Sequence, residues 1–164
     1  MQHGDTIAKL GPDVFETDFD ERRRVLHVAY KRKTHPTTRG HLEMKFGALR
    51  ALLDRYIPSG RVYLIIDMSN LILEPELKTA YAELARGIRD TYIMPNGIAR
   101  YGFQITRITV RQSYNMYLGE NPNIFNSREE AYAYIHALID RHRKAGITAG
   151  PTPATESSDR LSER

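Results

Sequence analysis

Val62-Tyr63-Leu64-Ile65-Ile66-Asp67-Met68-Ser69-Asn70 is the stretch that decides the fold. A short apolar run, rich in β-branched residues and free of interior charge, is the pattern of a strand buried on both faces. Asp67 ends it. The polar step falls just before a helical pattern over residues 75 to 92, so Asp67, Ser69 and Asn70 are expected at the carboxyl end of a central strand, where open α/β sheets place their sites.

Upstream, Val14-Phe15-Glu16-Thr17-Asp18-Phe19 and Val25-Leu26-His27-Val28-Ala29-Tyr30 read as two strands joined by a polar turn, an antiparallel hairpin. Leu26, Val28 and Tyr30 fall on one face of the second strand, and Val25, His27 and Ala29 on the other. Pro36 stops the hairpin. Thr37 or Thr38 then caps a helix with Leu42, Phe46, Leu49, Leu53 and Tyr56 on one face, ended by Pro58-Ser59-Gly60.

Downstream, Pro75 suits a first helical turn, and Glu74 and Glu76 suit the positive end of the helix dipole. Leu77, Tyr81, Leu84 and Ile88 make its apolar stripe. Pro95-Asn96-Gly97 reads as a tight connection into a strand over residues 97 to 103. Residues 104 to 118 alternate like a strand as far as Val110, yet Val110, Tyr114, Tyr117 and Leu118 repeat like a helix, and periodicity leaves both open. Asn123-Ile124-Phe125 reads as a short strand. Ser127-Arg128-Glu129-Glu130 has the spacing of a capping box, followed by a helix with Ala131, Tyr134, Ile135, Leu138 and Ile139 on one face.

The chain of 164 residues is 41% hydrophobic, enough for one compact domain with polar ends, and a second independently folding core is not expected. One domain is expected over residues 13 to 144, between a flexible start (1 to 12) and a small, polar, proline-bearing tail (145 to 164) expected to be disordered. The absence of cysteine excludes disulfides, thiolate metal sites and cysteine nucleophiles. No run approaches the roughly 18 apolar residues of a membrane helix, and the first residues lack the basic-then-apolar order of a secretory signal, so a cytoplasmic protein is expected. The net charge of +4 is spread among acidic residues. Its densest clusters, Arg22-Arg23-Arg24 and Lys31-Arg32-Lys33, flank one strand and are expected chiefly to solvate its ends.

The histidine pairs His35/His41 and His136/His142 are six apart, a spacing that does not put both imidazoles on one helical face. No metal site is expected. There is no nucleophile elbow and no glycine-rich phosphate loop, so no catalytic residue and no cofactor are expected either. Tyr101, Tyr114 and Tyr117 lie near Arg100, Arg107 and Arg111 and could form a basic aromatic surface, but rings buried at the sheet–helix boundary are the favoured reading. If residues 104 to 118 are helical, Arg107 and Arg111 share a face and are the best anion-binding candidates.

The order of these elements, with Val62-Tyr63-Leu64-Ile65-Ile66-Asp67-Met68-Ser69, Gly97-Ile98-Ala99-Arg100-Tyr101 and Asn123-Ile124-Phe125-Asn126-Ser127-Arg128-Glu129-Glu130-Ala131 at matching places, resembles the SpoIIAA-like branch of the STAS superfamily over about residues 14 to 143. The resemblance implies a single-domain α/β fold with a mixed sheet that opens with an antiparallel hairpin and is covered mainly on one side by helices. It tips residues 104 to 118 toward helix. Proteins of that superfamily are usually small regulatory modules; the bacterial anti-sigma-factor antagonists among them bind a kinase partner and are switched by phosphorylation of a serine at the start of the helix after the aspartate-ended strand. Aligning Asp67 and Ser69 with that pattern brings the acceptor to about Glu76 or Leu77, where there is no hydroxyl. Ser69, the nearest hydroxyl, is read as a turn residue.

The expected function is therefore a non-enzymatic bacterial regulatory or protein-interaction module lacking the usual phospho-acceptor. Asp67, Ser69, Asn70 and Glu76 form its expected contact loop, and a kinase-like anti-sigma factor is the kind of partner implied. The alternative is a small apolar ligand or lipid in an internal pocket lined by residues such as Phe46, Tyr81 and Ile108. A basic nucleic-acid-binding module ranks below both, and no membrane association is expected.

Overall fold

The computed structural model describes residues 14–102 and 123–149. Among the described residues, five strands, β1 (Phe15–Asp20), β2 (Val25–Tyr30), β3 (Val62–Asp67), β4 (Ile93–Tyr101) and β5 (Ile124–Phe125), form one mixed sheet in chain order. β1 and β2 are antiparallel, and every later pairing is parallel. Three α-helices accompany them among the described residues: α1 (Arg39–Leu53), α2 (Lys78–Tyr92) and α3 (Arg128–Lys144).

The hairpin turns through Arg24, which takes a positive φ of 58°. Its guanidinium donates to the carbonyls of Tyr56, Gly60 and Arg61 at 2.7 to 3.0 Å, collecting the oxygens left at the end of α1 and the start of β3. Arg24 is thus a structural clamp rather than a solvating charge. Thr38 is the residue that caps α1, accepting from the His41 N–H at 3.1 Å.

The two faces of the sheet carry separate cores. Leu26, Val28, Leu64 and Ile98 pack against Ala48, Leu49, Leu52 and Leu53 of α1 and Ile88 and Tyr92 of α2. Val25, Tyr63, Ile65 and Ala99 pack against Ala131, Ile135, Leu138 and Ile139 of α3. Each fully buried aliphatic side chain contributes on the order of 1.5–3 kcal/mol, so both faces contribute to stability. α1 and α2 are crossovers between parallel strands taken in chain order, and crossovers of one hand lie on one face. α3 follows β5 and leads to no further strand among the described residues, so it is free to cover the opposite face. The expected one-sided cover becomes two helices against one. α1 and α2 run alongside each other, joined by Arg39–Glu83 at 2.9 Å near their starts and by Tyr92 donating to Asp54 at 2.5 Å at their ends.

β4 begins earlier than the sequence suggests. Ile93 pairs with Val62 immediately after α2, and the register then shifts so that Ile98 pairs with Leu64. Pro95-Asn96-Gly97 is an irregularity inside the paired strand, with Asn96 at a φ of 58°, instead of a connection leading into it.

α3 has the expected start: Ser127 accepts from the Glu130 N–H, and Glu130 accepts in return from the Asn126 N–H, one residue outside the usual box. Its end is a Schellman motif. Gly146, at a φ of 74°, donates to the Arg143 carbonyl, and Ile147 donates to that of His142. Residues 145–149, assigned to the tail from sequence, therefore include the stop of α3, and Ala149 packs against the second core. Residues 1–13 and 150–164 lie outside the described residues, as do 103–122 with Arg107, Arg111, Tyr114 and Tyr117.

Candidate interaction surface at the carboxyl end of the sheet

Asp67 is half-buried at the end of β3, and one of its oxygens organises the turn that follows. Its Oδ1 accepts from the Ser69 N–H at 2.8 Å and from the Ser69 hydroxyl at 2.5 Å. A carboxylate at a strand end needs such donors, because its desolvation is otherwise uncompensated. Asn70 reaches sideways and donates to the Tyr30 carbonyl at 2.8 Å, tying the turn to the end of β2. The Met68 N–H donates to the Tyr101 carbonyl at 2.7 Å, tying it to β4. Gly102, at a φ of 141°, lets this contact close, since a Cβ there would lie 2.7 Å from the Ser69 nitrogen.

Beyond the turn, the chain alternates inward and outward. Met68, Leu71, Leu73 and Leu77 are buried in a third cluster with Leu42 of α1 and Ala80, Tyr81 and Ala85 of α2. Ile72, between two buried leucines, is 45% exposed. The segment after β2 lies beside it: Thr34 forms a parallel bridge with Leu71, donating to the Asn70 carbonyl at 2.6 Å and accepting from the Ile72 N–H at 2.9 Å. His35 pairs with Glu74. Two connections that sequence places far apart thus form one pinned surface. Glu76 stands exposed in a single 3-10 turn, Pro75–Leu77, that leads into α2.

Of the four expected loop residues, Asp67 and Ser69 are bonded to one another, Asn70 ties the same turn to β2, and Glu76 stands apart on the approach to α2. The Ser69 hydroxyl is donated to Asp67. The alternation of Leu71-Ile72-Leu73 is the sequence signal for the third cluster.

The other face at this end holds a pairing that sequence reasoning missed. His27 on β2 and Tyr101 on β4 are both buried, with Nε2 and the phenolic oxygen 2.6 Å apart. Burial, then the nearby Arg128 guanidinium, holds His27 below the ordinary histidine range, against the opposing charges of Asp67 and Asp18. Burial, then the Asp67 charge, pushes the Tyr101 phenol up to about 12. A second pair joins Tyr63 to His142 of α3 at 2.8 Å. Arg100 and Tyr101 are buried on opposite faces of β4, Arg100 donating to the Tyr81 hydroxyl, so they do not belong to an exposed basic aromatic surface. Among the described residues no cluster of side chains could hold a metal ion, and no helix is long and apolar enough to cross a membrane.

Phe46 and Tyr81, offered from sequence as the lining of an apolar ligand pocket, meet edge to face at 5.4 Å between centroids. The space they line against the sheet is about 20 Å³, room for about one water molecule and not for a lipid. Ile108 lies outside the described residues.

No protein-family model matches the chain, and no curated protein matches it.

Proposed function

We propose that this protein is a non-enzymatic regulatory module that engages a protein partner through the loop from Asp67 to Glu76. The observation that carries the reading is the pinning of that loop. Met68, Leu71 and Leu73 hold it from below, Asp67 and Asn70 hold its turn, and Thr34 pairs with its outer edge, leaving Ile72 exposed. A surface held in one conformation loses little entropy on binding, and an exposed aliphatic residue on it offers apolar area to a partner. The resemblance to SpoIIAA-like proteins supports the same end of the sheet and suggests a kinase-like anti-sigma factor as the type of partner. Without a hydroxyl at Glu76 or Leu77, regulation by phosphorylation at the family's usual place is not part of the proposal.

The test is affinity capture from the native host with wild-type protein, Ile72→Asp and Glu76→Lys. Both substitutions are at exposed positions and are expected to leave the melting temperature within a few degrees. A partner held by the wild type and depleted at least about tenfold by both variants supports the loop as the contact surface. Recovery of the same partners at the same levels by all three proteins would remove it.

A further inference from the structure

Beside the pinned loop, the segment after β2 and the first turns of α1 enclose an open cleft of about 400 Å³. Lys31, Arg32, Lys33 and Lys45 line it, with Val14 and Met44 forming apolar walls. Among the described residues no carboxylate forms an ion pair with Arg32, Lys33 or Lys45. Arg39, at the start of α1, is paired with both Glu43 and Glu83. The positive charge of the cleft is therefore not continued by a free guanidinium at the start of α1. α1 also starts without an acidic residue in its first turn, so its dipole adds to that field.

We infer that this cleft is a binding site for a small organic polyphosphate. The volume lies within the range of small-molecule sites. Clustered lysines and an arginine suit phosphate oxygens, and Met44, 61% exposed on the cleft wall, offers apolar surface to the organic body. An extended nucleic acid would need a basic track, which the pairing of Arg39 interrupts. The site goes beyond the partner-binding reading and stands whether or not the Asp67 to Glu76 loop binds a protein.

The experiment is calorimetric titration of the full-length protein with fructose bisphosphate, fructose and a single-stranded oligonucleotide, at low and near-physiological salt. Fructose bisphosphate is expected to bind, more weakly as salt rises, while fructose gives no heat. Lys33→Glu and the double variant Lys33→Glu/Lys45→Glu are expected to weaken binding at least about tenfold. The control double variant Lys78→Glu/Arg86→Glu, with the same charge change elsewhere, should bind like wild type. Should the half-buried Lys45 not tolerate substitution, Lys33→Glu alone carries the comparison. Silence with fructose bisphosphate, equal weakening by the control variant, or binding of the oligonucleotide alone would each overturn the inference.

Discussion

His27 and Tyr101 stand on strands that do not touch, and their side chains meet across β3, with 2.6 Å between Nε2 and the phenolic oxygen. Neither residue is more than a tenth exposed, so each is the other's answer to desolvation. Tyr101→Phe removes one partner and strands the imidazole. The expected loss is about 1–3 kcal/mol, read as a lower urea midpoint at unchanged slope. An unchanged midpoint would show that the pair contributes nothing net.

Acid should destabilise the fold in a window that belongs to histidine. His27 and His142 are both held below the ordinary value of 6.5, by burial first and then by neighbouring arginines. The unfolded chain binds more protons than the native one between those lowered values and the ordinary value, so stability there rises with pH. The contribution is whole above about pH 6.5 and is lost as pH falls through the folded-state values. Melting temperature measured from pH 7 to 5 is expected to fall, and His27→Gln or His142→Gln should flatten the slope. An identical slope in both variants would assign the effect elsewhere.

The turn after β3 depends on Asp67 and on the missing side chain at Gly102. Asp67→Ala leaves the Ser69 N–H and hydroxyl without their acceptor and is expected to cost on the order of 1 kcal/mol or more. Gly102→Ala should cost more than this, since its Cβ would meet the backbone of Met68 and Ser69 within 3 Å at a φ that disfavours a side chain. Thermal denaturation checks both. A Gly102→Ala protein as stable as wild type would mean that the approach of β4 to this turn is not required.

Helix ends supply a further check. Thr38→Ala should cost about 1 kcal/mol by freeing the His41 N–H, and Gly146→Ala a comparable amount by straining the Schellman turn. Hydrogen exchange should localise each loss, to the first turn of α1 and the last of α3 respectively. Uniform loss across the fold would contradict the local assignment.

Local chemistry made much of this architecture legible. Val62 to Ile66 is apolar at every position because β3 is buried on both faces, and that alone marks a central strand. Thr38 and Ser127 announce α1 and α3 because a cap is satisfied within a few residues of itself. Asp67 and Ser69 are two residues apart, so their contact too was within reach of sequence reasoning.

What sequence did not show is what depends on register and on the side of the sheet chosen by each helix. His27 and Tyr101 are 74 residues apart, and only the parallel stacking of β2, β3 and β4 brings them together. The clamp of Arg24 on the end of α1, the pairing of Thr34 with Leu71, and the basic cleft between Lys33 and Lys45 are long-range or shape-dependent in the same way. Pro95-Asn96-Gly97 has turn chemistry and sits within a paired strand, because pairing with β3 overrides a local preference of a few tenths of a kcal/mol to about 1 kcal/mol. The sequence by itself determined the first three strands, the starts of α1 and α3, and that Asp67 closes the central strand, because those choices are made among near neighbours. The tertiary structure alone decided that α3 crosses to the opposite face and which distant polar groups share a site, because burial is settled by the whole sheet at once.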